Sequence, residues 1–152
     1  MLRSLLRWLS KPHVPVAPFH HDDRLTLIWD EDRDRWTCPL PELGEAAMVL
    51  VDASESEPTP ASCELILRER GRMQAHLAVA RSYLMQTCGD TIQTADHPDA
   101  GVERLVPRSM EIVEHARDHA DFSLTFHDTF EPGSIWMVHF KQDQPVGWGL
   151  DD

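Results

Sequence analysis

The chain has 152 residues with 26 acidic and 14 basic side chains, so its formal net charge at pH 7 is −12. This charge argues against direct binding to nucleic acid or to an anionic membrane surface, because both need a basic face on the protein. Its apolar runs are only a few residues long, whereas a membrane-spanning helix needs about 20. The length and the 41% hydrophobic content fit one ordinary globular domain.

The N-terminal segment, residues 1–18, is expected to stand apart from the domain. Its leucines and arginines are spaced as in a short amphipathic helix rather than in a signal peptide. Pro12, Pro15 and Pro18 then predict an extended arm. The helix is expected to dock on the domain itself or on another protein, and a mitochondrial-type presequence or a membrane-surface helix is the alternative. Residues 19–152 are expected to form a single α+β domain.

The elements of that domain follow in chain order. Strands are predicted where β-branched and aromatic residues accumulate or alternate with polar ones, at 24–29, 35–38, 46–51, 122–126 and 135–140. Thr59 and Pro60 predict the start of a helix pair that reaches Cys88 and bends near Gly71. Pro107 predicts a third helix to about His119. The expected fold is a largely antiparallel sheet of about five strands with two to three helices packed on one face, plus the short N-terminal helix.

The cysteines indicate a reducing compartment. Cys38, Cys63 and Cys88 are odd in number and form no C-x-x-C pair, so they fit neither a disulfide framework nor a zinc finger. Buried free thiols are typical of cytosolic proteins. We therefore expect a cytoplasmic protein.

The best candidate metal site lies on the predicted third helix. His115 and His119 are four residues apart, so on a helix both imidazoles would point the same way, with Glu111 one turn earlier. Ala116 stands where a zincin would carry its general-base glutamate. A solvated helix face explains the same residues, and neither a metal nor another cofactor is expected.

Two further histidines could serve acid/base chemistry. His127 and His139, with Asp128, lie on the last two predicted strands, where cross-strand neighbours come close. Nothing in the sequence supplies a nucleophile, an oxyanion hole or a phosphate cradle beside them. No catalytic residue is assigned, and a small metal-dependent or acid/base enzyme remains the alternative to a binding protein.

Charge placement is the most informative functional feature. Residues 20–57 carry eleven acidic and three basic side chains. Six of these acids are expected to gather at one end of the first hairpin and to steer a basic partner towards it. Solubility alone is the competing explanation. The six predicted partner-binding residues are Asp22, Asp23, Asp30, Glu31, Asp32 and Asp34.

The layout resembles small bacterial α+β domains of unknown function, some of which are similar to immunity proteins of polymorphic-toxin systems. The resemblance covers about residues 20–152. It is carried by the acidic turn between Trp29 and Trp36, the helix pair begun by Thr59, the final hairpin and the Gly- and acid-bearing tail 147–152. The basic N-terminal segment does not belong to that pattern.

This resemblance implies a non-enzymatic, antitoxin-like immunity protein that neutralises a cognate toxin through an acidic surface. The family has no established catalytic residues that could be transferred. An adaptor subunit of a larger assembly is the remaining alternative.

Overall fold

The computed structural model describes residues 15–53, 56–93, 101–116 and 119–151. The N-terminal helix expected before Pro12 lies outside these ranges. In the described part, eight strands form one sheet and two α-helices accompany it. The strands are β1 (Phe19–His21), β2 (Leu25–Asp30), β3 (Arg35–Pro39), β4 (Met48–Asp52), β5 (Leu105–Val113), β6 (Phe122–Asp128), β7 (Ile135–Lys141) and β8 (Gln144–Asp151), and the helices are α1 (Pro60–Arg70) and α2 (Met73–Ile92).

The strands lie in the sheet in the order in which they occur in the chain. Every neighbouring pair is antiparallel except β4 and β5, which are parallel. A parallel pair cannot be joined by a tight turn and needs a crossover connection. Both helices lie in that connection, so the sheet is mixed.

Local sequence signals define the two helices. The Thr59 side chain accepts a hydrogen bond from the backbone N–H of Ser62, and Pro60 occupies the first turn of α1. Gly71 ends α1, and α2 begins two residues later. Cys88 departs from helical geometry near the end of α2. No helix in the described part of the chain is both long and apolar enough to cross a membrane.

The core lies between the helices and one face of the sheet. Alternate residues of a strand point to opposite faces, and one alternating set is buried on each central strand. His76 of α2 shows the contact directly, because its ring packs edge-on against Phe122 and Phe140. The sheet contributes Val49, Val51, Met110, Ile112, Leu124, Phe126, Trp136 and Val138 to this core, and the helices contribute Ile66, Leu77, Ala80, Leu84 and Ile92.

A buried ion pair ties the end of α2 to β6. Arg104 and Asp128 are 4% and 0% exposed. The Arg104 Nε donates to both carboxylate oxygens of Asp128, at 2.9 and 3.0 Å, and its Nη1 donates to the carbonyl of Ile92 at 2.6 Å. Burial without such partners would be costly for either charge.

The predicted fold of about five strands with two to three helices is wrong. The described residues form an eight-stranded mixed sheet with two α-helices, and β1, β5 and β8 are the strands that the sequence prediction missed. The third helix is strand β5 for most of its length, followed by a short 3₁₀ turn at Glu114–Ala116. Met110 and Ile112 are buried against the helices while Glu111 and Val113 face the other way, so the burial period is two rather than 3.6. Pairing with β4 and β6 has overridden the helical propensity of this segment.

Candidate functional site on the open face of the sheet

The sheet face that points away from the helices carries the candidate site, and we call it the open face. One row of side chains crosses it from Leu50 on β4 through Glu111, Ser123 and His139 to Gly147 on β8, each paired with the next in register. The row beside it contains Met48, Ser109, Thr125, Met137 and Gly149. The polar residues cluster at the centre, where the open face is most buried: Ser109 and Thr125 are only 2% and 1% exposed.

A hydrogen-bonded chain fixes Glu111 at the centre of the open face. Arg35 Nη1 donates to Glu111 Oε2 at 2.8 Å, and Ser109 Oγ donates to Oε1 at 3.1 Å. Since the Ser109 proton is used on the carboxylate, Thr125 Oγ1 donates in turn to Ser109 Oγ, at 2.5 Å. Both carboxylate oxygens of Glu111 are thus engaged by hydrogen bonds.

A second polar pair lies beside this chain. Ser123 Oγ and His139 Nδ1 are 2.7 Å apart across the β6–β7 pair. The imidazole extends towards β8, where a Cβ on Gly147 would meet His139 Cδ2 at 3.7 Å and one on Gly149 would meet Met137 Cε at 3.3 Å. Gly149 therefore leaves room for the Met137 side chain, whereas a Cβ at Gly147 would make only ordinary contact with His139.

Two pockets open on this face and share Glu111. The first, which we call the histidine pocket, has a volume of about 430 Å³ and is lined by polar groups that include Glu111, His119, Asp121, Ser123 and His139. The second, the arginine pocket, has a volume of about 300 Å³. Its lining comprises Arg33, Arg35, Arg108, Ser109, Glu111 and Thr125 with the apolar residues Ala46, Met48, Leu50 and Ile135.

The six acidic residues predicted to bind a partner are not gathered at one end of the hairpin. Asp22 and Asp23 lie in the β1–β2 turn, and the other four lie at the far end of β2 in and beside the β2–β3 turn. The six residues of β2 separate the two turns by roughly 20 Å. The expectation of a single concentrated acidic end is therefore not met by this geometry.

Several of these carboxylates also have structural tasks. Asp30 accepts from the backbone N–H groups of Asp32 and Arg33, at 3.1 and 3.2 Å, and its ion pair with the Arg33 side chain is the main reason why its pKa is lowered. Asp22 pairs with Arg24 at 3.0 Å. Asp22 and Asp34 have positive φ angles, which aspartate tolerates better than most residues. Glu31, Asp32 and Asp34 remain exposed at the β2–β3 turn, and we call these three residues the acidic turn.

The predicted metal-ligand set is only partly brought together. Without a helix, His115 and His119 do not share a helical face. Glu111 and His119 both line the histidine pocket, whereas His115 does not. Within the described ranges, the carboxylate and histidine groups whose ligand atoms lie within 4.8 Å of one another are His21–Asp22–Glu64 and Glu69–His76–Asp143, neither of which includes the predicted residues.

Both of those groups are already engaged by arginines. Arg24 binds Asp22 and Glu64 at 3.0 and 2.8 Å. Arg72 binds Asp143 at 2.8 Å and lies 3.6 Å from Glu69. These arginines make both groups part of ion-pair networks between elements of the fold.

The predicted acid/base set on the last two strands is divided. Asp128 is buried with Arg104, and the neighbouring His127 is exposed on the opposite face of β6. His139 instead pairs with Ser123, which the sequence prediction did not single out. The polar alternation of Ser123, Thr125 and His127 was a usable signal for this surface. Nothing local marked Arg108, because its position depends on an irregularity in the pairing of β5 with β6.

Comparison with known proteins found no matching family model, no matching curated protein and no matching solved structure. The resemblance to immunity-like domains therefore stays a prediction. The site has to be interpreted from its own geometry.

Proposed function

We propose that this protein is a non-enzymatic binding protein that holds a protein partner on its open face. The observation that carries the proposal is the open face itself, a half-buried and pocketed sheet surface on the side away from α1 and α2. Surfaces that combine apolar area with a few fixed polar groups are typical of binding sites. Met48, Leu50, Ile135 and Met137 supply the apolar area.

The state of the polar groups favours binding over catalysis. Glu111 is anchored by Arg35 and Ser109, so both of its oxygens are occupied and its side chain is held in one position. Ser123 and His139 hold each other in place through the hydrogen bond between Ser123 Oγ and His139 Nδ1. A preformed polar network of this kind gives a partner fixed hydrogen-bonding positions at little cost in ordering.

The acidic turn supports a basic partner. It adjoins the open face, because Arg33 of the same turn lines the arginine pocket. A cationic surface drawn to Glu31, Asp32 and Asp34 would arrive at the edge of that face. The most concrete form of this function is a cytoplasmic immunity protein that covers the basic active site of a toxin.

The test uses the partner recovered from the native source and then purified. Replacing the acidic turn by Glu31→Gln, Asp32→Asn and Asp34→Asn is expected to slow association by about tenfold at low salt. The matched control is the pair Asp22→Asn and Asp23→Asn in the other turn, which should leave the rate unchanged. Raising the salt concentration from 0.1 to 1 M shortens the Debye length from about 10 to about 3 Å. Stopped-flow measurements should then show that the difference in association rate between parent and variant is lost.

The open face is tested separately by dissociation. An Ile135→Glu substitution places a charge on this face without touching the acidic turn, and it is expected to raise the dissociation rate. If the association rate of the partner changes neither with salt nor in the acidic-turn variant, the acidic turn does not steer the partner. A partner that binds the Ile135→Glu variant with unchanged affinity would show that the open face is not the binding surface.

A further inference from the structure

We infer that the arginine pocket of the open face is a binding site for a carboxylate group carried on a short apolar body. This inference goes beyond the proposed partner binding, because a free small molecule can occupy the pocket with no protein partner present. It concerns the half of the open face that adjoins β3 and β4, and it does not involve the histidine pocket.

The charge of the pocket is opposite to that of the protein. Three guanidinium groups, from Arg33, Arg35 and Arg108, and a single carboxylate, from Glu111, line it. Asp30 pairs with Arg33 from outside the lining, which leaves a net charge of 3 − 2 = +1. The whole chain carries −12. A concave site of one sign raises the local concentration of ligands of the opposite sign, so an anion is directed to this pocket in preference to the surrounding surface.

Arg108 provides the uncommitted cation. The β5–β6 register jumps between Pro107 and Ser109, so Arg108 is the extra residue of a β-bulge and lies outside the regular ladder. Bulges re-aim side chains, and this one brings Arg108 to the pocket wall. Arg33 already pairs with Asp30 and Arg35 with Glu111, whereas Arg108 forms no ion pair with any residue in the described part of the chain.

The charges around Arg108 favour a carboxylate. One free guanidinium matches one carboxylate through two parallel N–H···O bonds. A phosphate group carries more negative charge than a carboxylate. Glu111 also stands beside the site and disfavours a second negative charge.

The apolar part of the pocket lining indicates the size and polarity of the rest of the ligand. Ala46, Met48, Leu50 and Ile135 form an apolar surface beside the arginines. A volume of about 300 Å³ lies at the lower end of the range for small-molecule sites, which is about 300–1,000 Å³. A short aliphatic carboxylate fits this combination, and so does the free C-terminal carboxylate of a peptide that ends in an aliphatic residue.

The experiment titrates the isotope-labelled full chain with hexanoate and follows the arginine Nε–Hε signals by NMR. Hexanamide is the matched neutral probe, and inorganic phosphate is the competing anion. We expect hexanoate to bind at least about tenfold more tightly than either probe, with the largest shifts at Arg108. A short acetylated peptide ending in leucine, with a free or an amidated C-terminus, distinguishes the two sources of the carboxylate.

Two variants are expected to change hexanoate affinity in opposite directions, and a third is a control. Arg108→Gln is expected to weaken hexanoate binding by at least about tenfold. Arg24→Gln, in the distant β1–β2 turn, is the matched control and should change the affinity less than about twofold. Glu111→Gln removes the repulsive charge and releases Arg35, so it should tighten binding. Two-dimensional spectra of each variant report whether the fold is kept.

Equal binding of hexanoate and hexanamide, tighter binding of phosphate, or an unchanged affinity in Arg108→Gln would each overturn the inference. If the peptide with a free C-terminus binds and hexanoate does not, the result supports a chain terminus as the ligand. If both bind, a small molecule is sufficient to occupy the pocket. The proposed partner binding fails separately, through the acidic-turn and Ile135→Glu variants.

Discussion

Replacing Asp128 by asparagine is expected to destabilise the protein by about 3–5 kcal/mol, because it leaves the buried Arg104 guanidinium without its counter-ion. The aspartate is fully buried and accepts from Arg104, from Trp136 Nε1 at 3.3 Å and from the backbone N–H groups of Phe130 and Glu131 at 2.9 and 3.3 Å. An asparagine keeps the shape and one acceptor oxygen, so the substitution removes the charge with little change in packing.

The opposite substitution, Arg104→Met, should cost less. The carboxylate of Asp128 would keep its bonds from Trp136, Phe130 and Glu131, and it can take up a proton. In Asp128→Asn, Arg104 keeps uncharged partners, which are the asparagine oxygen, the carbonyl of Ile92 and the ring of Phe130, and arginine cannot lose its charge in a protein. We therefore expect Asp128→Asn to lower the free energy of unfolding more than Arg104→Met does.

The pH dependence follows from the lowered pKa of Asp128. Burial raises this pKa, but the bonds from Arg104 and from the backbone N–H groups of Phe130 and Glu131 outweigh it. The stabilisation is therefore complete above the unfolded-state pKa of about 3.9 and is lost as the pH falls through the lower folded-state value. In Arg104→Met the pKa of Asp128 should rise towards the unfolded-state value, so the stability that this group loses on acidification should become smaller.

Urea denaturation followed by tryptophan fluorescence measures these free energies. Asp32→Asn in the exposed acidic turn is the control and should remain within about 0.5 kcal/mol of the parent. A loss below about 1 kcal/mol for Asp128→Asn, or a larger loss for Arg104→Met, would refute the argument from an uncompensated buried charge.

Three further predictions concern the core and α1. Trp136→Ala should cost about 3–5 kcal/mol in the same assay, since its ring is 2% exposed; a loss near zero would show that the ring is not in the core. Native protein should resist iodoacetamide at pH 8, because burial raises the pKa of Cys38 to about 11 and also raises that of Cys88; mass spectrometry that finds either thiol alkylated before unfolding would contradict this. Glu114→Gln should lose about 1 kcal/mol, because this carboxylate accepts from the Thr59 N–H at 2.8 Å at the start of α1, whereas Glu57→Gln should lose almost nothing.

Local signals in the sequence were sufficient to predict an element whose start, end or buried face is set by its own residues. The Thr59-Pro60 start and the Gly71 stop place α1, because capping and proline geometry act within one turn. The alternation of Phe122, Leu124 and Phe126 with polar residues places β6 and its buried face.

Tertiary structure decided the rest, because pairing partners are set by residues far away in the chain. Residues 105–113 have mixed local preferences, and they form a strand because β4 and β6 lie on either side of them. The edge strands β1 and β8 exist only through their neighbours β2 and β7. The same is true of the candidate site, since Arg35 reaches Glu111 across 76 positions of sequence and Arg108 enters the pocket through a bulge. The sequence alone determined the negative charge of the protein and the polar character of these segments, and the register of the sheet decided which of those residues meet.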